Sequence, residues 1–305
     1  ACWDPELHVL GSYRPITPLK SLFLRPREFL GTEDAPRAGG DLPERIIVGI
    51  KNCDLSSLRV HDYVFQDTDP PDPFYVEARE KSFLVATDCT DCLDVCFCSA
   101  VGKKPYADDG YDVNLSPLNE GVLVEAGSEA GEDSLAKAGD LLGPADETMR
   151  RQRDDKREAL AKLVGERAAQ RGLSANADYR AAVENSREAD LWKRFAEDCV
   201  ECGACNFVCC TCHCFFVGLG WRGNRPARVK QWDACLFKNF AHVAGGGNPR
   251  GHRAERLYNR FDKKFSFFAS VIGDYACDGC GRCTEACTGR IDIRDVLQEA
   301  VKASG

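Results

Sequence analysis

The sequence predicts an α+β protein in three parts. Residues 1–128 form a mixed α/β domain, 129–198 a helical insert, and 199–305 a domain built around two metal clusters held between helices. Three observations carry this. Short apolar β-rich runs bounded by turn residues mark the first part. The second is rich in Ala, Glu, Arg, Lys and Asp, with apolar residues at helical spacing. The third holds two cysteine runs of one spacing, C-x2-C-x2-C-x3-C: Cys199, Cys202, Cys205 and Cys209, then Cys277, Cys280, Cys283 and Cys287.

In the first part, the runs 45–50, 82–87 and 121–126 read as strands. Two of them deliver a cysteine just past their end, Cys53 and Cys89, and strand ends are where α/β sheets place ligands. In the insert, Leu160, Leu163, Val164 and Ala168 share one helical face. Tyr179, Ala182 and Val183 begin a second stripe, and Leu191, Trp192 and Phe195 a third. Two or three amphipathic helices follow, with their charges on solvated faces. In the last part, the 67 residues 210–276 between the runs are enough for structure of their own and suit a helical-ferredoxin-like arrangement. Ile293, Val296, Leu297 and Ala300 predict a closing helix.

The run spacing is that of [4Fe–4S] sites in bacterial ferredoxins. Thiolates two residues apart wrap a tight loop around one cube, and the loop aims backbone N–H groups at the sulfurs. The fourth cysteine serves the other cluster in two-cluster proteins. The expected sets are therefore Cys199, Cys202, Cys205 and Cys287, and Cys277, Cys280, Cys283 and Cys209. A single C-x2-C pair would also suit zinc, but two complete runs favour iron, bound through these same cysteines. A disulfide framework belongs to short secreted chains. The usual run ends in Cys-Pro, whereas here Cys210 follows Cys209 and Thr288 follows Cys287.

Ten cysteines remain of the eighteen. Cys53, Cys89, Cys96 and Cys98 would supply a third cluster, with Cys92 as a spare; zinc or plain buried thiols are the alternatives. Cys212, Cys214 and Cys235 give three thiolates for a fourth site. His213, His242 or Cys210 could complete it, or nothing binds there. Cys2 has no evident partner. Gly245-Gly246-Gly247 lacks the strand-then-helix context of a nucleotide loop and reads as a tight turn. No catalytic triad or dyad stands out among five histidines.

A net charge of −8 argues against nucleic acid as a partner. No stretch approaches the roughly 18–20 apolar residues of a membrane span. The N-terminus lacks the basic start and apolar core of a signal peptide, and the one Met, Met149, is internal. Eighteen cysteines beside two cluster motifs imply a reducing compartment, with the cytoplasm as the expected location.

Residues 49–54, then Cys89, Cys96-Phe97-Cys98 and 124–129, form one half of a further pattern. Residues 199–209, Thr211-Cys212-His213-Cys214-Phe215, Trp232-Asp233-Ala234-Cys235 and Ala244-Gly245-Gly246 form the other. Over about residues 45–300 the chain resembles the iron–sulfur (beta) subunits of cytoplasmic sulfhydrogenases and the corresponding iron–sulfur subunits of anaerobic sulfite reductase. Cys92 and Cys210 depart from that pattern. The resemblance implies a non-catalytic electron-transfer subunit of a multi-subunit redox enzyme. Its expected partners are a flavin/NAD(P)H-oxidoreductase subunit, which carries the flavin, and a catalytic redox subunit. The alternatives are a reductase with its own catalytic iron–sulfur site, or a ferredoxin-like carrier, for which the chain is large.

Overall fold

β-Branched and aliphatic residues lay down a sheet whose strand ends carry the N-terminal cysteines. The computed structural model describes residues 10–32, 35–36 and 42–304, so Cys2 lies outside the described residues. The fold is α+β. Strands β1 (Arg27–Thr32), β2 (Ala35–Pro36), β3 (Arg45–Ile50) and β4 (Ser82–Thr87) come first in the chain. Strands β5 (Val113–Pro117), β6 (Val122–Ala126), β7 (Phe215–Arg222) and β8 (Arg225–Trp232) follow.

One sheet has the order β3-β4-β5-β6. β3 and β4 pair in parallel, as do β4 and β5, while β6 returns antiparallel. Helices Leu58–Phe65 and Pro73–Glu80 make the crossover from β3 to β4, since parallel neighbours need a long connection. The carboxyl ends of β3 and β4 lead straight into Cys53 and Cys89. Asp88, just past β4, accepts hydrogen bonds from Arg157, Asn114 and Ser116 and ties that end down.

The second sheet, β2-β1-β8-β7, is antiparallel and joins distant parts of the chain. β7 and β8 form a hairpin closed by Gly223 and Asn224, with Gly223 at φ 64°, the left-handed geometry a two-residue turn requires. The segment between the cysteine runs therefore opens as sheet and turns helical only at Arg253–Phe261.

The helical stripes seen in the sequence fall on helices. Glu147–Gln170 starts at Asp146, whose side chain accepts from Met149 N, and it buries Leu160, Val164 and Ala168. Tyr179–Asn185 and Ile293–Ser304 bury their predicted faces, while Leu191–Glu197 buries Leu191 and Trp192 and leaves Phe195 half-buried. Helix Glu129–Ala138 and strand β5 were not anticipated. Phe97, Ala168, Tyr179, Trp192, Leu257, Phe265, Val296 and Leu297 share one core, each large side chain contributing about 1.5–3 kcal/mol by leaving water. Residues 244–250 make an exposed turn, with Gly246 at φ 83° and its N–H donating to Val243 O. Among the described residues no helix is long and apolar enough to cross a membrane.

Candidate metal centres

The two cysteine runs fold as copies of one loop. Glu201 and Gly279 hold the same place in each run, at φ 56° and 62°. Gly203 and Gly281 do likewise at 72° and 71°. Two left-handed residues curl each loop so that its thiols face inward, and glycine adopts that conformation without Cβ strain. Glu201 adopts it with its carboxylate paired to Arg256. Each loop then enters a one-turn helix, Ala204–Phe207 or Arg282–Glu285, and the two helices pack together.

Cys199, Cys202, Cys205 and Cys287 border one cavity, which Cys283 also reaches. Ile291 N donates to Cys287 Sγ at 3.2 Å. Cys202 is exposed, and a hydrogen bond from the Ala204 backbone is the first cause holding its thiol low.

The loop of Cys277, Cys280 and Cys283 starts beside Cys209: Lys264 Nζ, 3.1 Å from Cys209 Sγ, and Thr211 Oγ1 both donate to Ala276 O. Their loop is clamped against the N-terminal half, since Phe97 N donates to Gly279 O at 2.8 Å. A side chain at Gly279 would overlap the Cys98 backbone, and one at Gly281 would overlap Val95. Arg282 is fully buried and pairs with buried Asp54 at 2.5 Å. Its Nε donates to Pro15 O.

Cys53, Cys89, Cys92, Cys96 and Cys98 border a third cavity together with Cys280. Cys53 and Cys280 thus face one space from opposite halves of the chain. Leu160, Leu163 and Val164 of helix Glu147–Gln170 pack over Cys89, Cys92, Cys96 and Cys98. Arg167 Nη1 donates to Cys92 Sγ at 3.2 Å.

Cys212, Cys214 and Cys235 line a cavity of about 290 Å³. Asn206 Nδ2 donates to Cys235 Sγ at 3.1 Å and to Cys212 Sγ at 3.7 Å. His213 also lines it, held neutral by burial at a pKa of about 4. His242 is exposed in the loop beyond, and Cys210 turns to Cys280 instead.

Buried cations test whether these residues fit iron–sulfur clusters. Lys264 Nζ lies 3.1 Å from Cys209 Sγ and 2.8 Å from Thr211 Oγ1. Arg260 Nη1 lies 3.4 Å from Cys212 Sγ. Lys20 Nζ donates to Asn206 O and Cys212 O. All three are at most 5% exposed, and none has a carboxylate partner among the described residues. A buried charge without a counter-charge is costly. Thiolate-bound clusters, which are anionic, would supply the missing negative charge. Lys264 sits on a π-helical turn, Asp262–Phe267, a distortion frequent at functional sites.

Burial pushes the Cys89 and Cys205 thiols up to about 12 and Cys96 to about 11. These cysteines are protonated when free, so binding iron releases protons. The seventeen cysteines described are all free thiols. No group of three or more His, Cys, Asp or Glu among the described residues is arranged to hold a metal ion. A cubane spaces its thiolates more widely, because each meets a different iron.

The sequence reading missed Lys20, Arg260, Lys264 and Asn206. A signal existed for two of them: Arg256, Arg260 and Lys264 recur every four residues, one face of one helix.

A family model describing a 4Fe-4S dicluster domain matches residues 198–291. The chain is 32% identical over 290 residues to the protein named Sulfhydrogenase 2 subunit beta from Pyrococcus furiosus. That alignment covers 94% of this chain and 83% of the relative. No solved structure matches.

Proposed function

The chain belongs to the family of iron–sulfur beta subunits of sulfhydrogenases, and on that premise we propose that it relays electrons between a flavin/NAD(P)H subunit on one side and a catalytic redox subunit on the other. Its dicluster domain takes two [4Fe–4S] clusters. We assign the first to Cys199, Cys202, Cys205 and Cys287, and the second to Cys277, Cys280, Cys283 and Cys209. A third belongs to Cys53, Cys89, Cys96 and Cys98, and a fourth to Cys212, Cys214 and Cys235, with His213, which lines the same cavity, for its remaining position. The flavin resides on the partner, and the complex works in the cytoplasm, where free thiols persist.

One observation carries the reading. Cys283 borders the cavity of the first run and Cys280 that of the N-terminal cysteines. The second run therefore stands between two further thiol sites, which is the layout of a wire. When bound, the clusters supply one-electron chemistry. The chain's own residues hold and tune them: Lys264, Arg260 and Lys20 offset negative charge, Leu160 and Val164 keep water off the N-terminal site, and Arg282 locks the second loop to Asp54.

Replacing Cys283 by Ser in the purified complex tests this. Transfer between the partner subunits is expected to stop, while each partner keeps its activity with artificial dyes. Loss of a partner's dye activity in a complex that still assembles would contradict the relay.

A second reading, a catalytic iron–sulfur site on this chain, is favoured by the cavity beside Cys212, Cys214 and Cys235. Arg250, Arg260, Lys263 and Lys264 line it, with no carboxylate among the lining residues. Substrate reduction by the isolated chain with a chemical electron donor would establish that reading.

A further inference from the structure

The second cluster site has one thiol more than a cubane can use. A [4Fe–4S] cube takes four cysteines, one per iron. Cys277, Cys280 and Cys283 fill three positions, and two adjacent thiols stand ready for the last. Cys209 is 7% exposed, and Lys264 Nζ, 3.1 Å from its Sγ, also donates to Ala276 O at 3.0 Å, beside Cys277. Cys210 is 1% exposed, and its Sγ lies 3.9 Å from Cys280 Sγ.

Each thiol has its own partner for the state in which it does not bind iron. Cys209 Sγ is held by Lys264 Nζ at 3.1 Å and lies 3.2 Å from Thr211 Oγ1. Lys264, a buried cation, stabilises a displaced Cys209 while it is still a thiolate. The Cys210 S–H donates to Asp278 Oδ2 at 3.4 Å. Ser56 Oγ donates to the other oxygen, Asp278 Oδ1, at 2.9 Å and fixes that carboxylate. Asp278 is 2% exposed. A cysteine kept merely as a small hydrophobe needs no buried carboxylate to accept a hydrogen bond from it.

We propose that Cys210 is a reserve ligand of the second cluster, exchangeable with Cys209. This rests on the reading that the second run holds a [4Fe–4S] cluster. In the exchange one iron–sulfur bond, to Cys209, breaks and one, to Cys210, forms. One proton passes from Cys210 to Cys209, and no electron is gained or lost. The site thus keeps four thiolates when either cysteine is oxidised or otherwise lost.

The test uses the full chain, purified without oxygen. Iron, acid-labile sulfide and the electron paramagnetic resonance spectrum of the reduced protein are compared for Cys209→Ala, Cys210→Ala and the double variant. Alanine is chosen because a serine oxygen can itself bind iron. Each single variant is expected to keep the wild-type iron content, with Cys209→Ala showing an altered spectrum from the changed ligand. The double variant is expected to lose about four irons.

Loss of about four irons in Cys209→Ala alone overturns the proposal, as does the same loss in Cys210→Ala alone. A double variant that keeps all its iron also overturns it. If the double variant fails to fold and loses every cluster, the Cys209→Ala result decides. Cys283→Ala separates this from the underlying reading, which fails if that variant loses no iron.

Discussion

Lys264 shows how single residues set the character of these sites. Its ammonium is buried against Cys209 and lacks a carboxylate partner among the described residues. A cation stabilises the more negative, reduced form of a nearby cluster. Lys264→Met should therefore make the second cluster harder to reduce, by on the order of 1–4 kcal/mol per electron. A potentiometric titration followed by paramagnetic resonance checks this, and an unchanged or raised potential would refute it. His61 gives a pH prediction. Burial holds its pKa down at about 3, its Nε2 lies 2.6 Å from Cys210 O, and its Nδ1 has no partner. The folded imidazole stays neutral where the unfolded one, with an ordinary pKa of about 6.5, takes up a proton. Its contribution is thus intact above about pH 6.5 and is lost as pH falls from there toward 3, by up to about 1.4 kcal/mol per unit. Denaturation midpoints between pH 7 and 5 measure it, and His61→Gln should flatten that slope. At this scale the thiols were legible, because their spacing is local. The cations were not, because Lys20 reaches Cys212 from far along the chain and no motif records such contacts.

Among elements, the loop of the second run decides how the halves join. Gly281 sits at φ 71°, and a Cβ there would overlap Val95. Gly281→Ala adds left-handed strain of about 1–3 kcal/mol and pushes the loop off Val95. It should lose iron from the second and N-terminal sites. Gly245→Ala, with nothing within 4 Å of its Cβ, should keep it; iron analysis of the two variants separates a close approach from a mere loss of glycine. The apolar stripes of Glu147–Gln170 and Ile293–Ser304 were readable because one face meets the core at every fourth residue or so. The hairpin β7–β8 was hidden by exposure: Phe216, Leu219 and Trp221 face solvent, so burial alternation along β7 is weak. Strand β1, which pairs with β8 some two hundred residues later, has no local signature at all.

For the whole molecule, the cysteine sites form a chain in space that the linear order conceals. Cys53 and Cys89 come from strand ends in the first half, yet they border one cavity with Cys280 from the second. The sheet β2-β1-β8-β7 and the shared core of Phe97, Ala168 and Val296 hold both halves in register. The two runs were visible from spacing alone, and membership of the sulfhydrogenase beta-subunit family accords with them. Contiguity of the N-terminal site with the second run required the fold, because it depends on how Phe97 meets Gly279. That contiguity is the central claim, and metal content tests it most directly. Iron, acid-labile sulfide and zinc should be measured per chain on protein purified without oxygen. At least about twelve irons with matching sulfide and no stoichiometric zinc are expected, as three or more [4Fe–4S] clusters require. About eight irons, or zinc in place of the remainder, would contradict it.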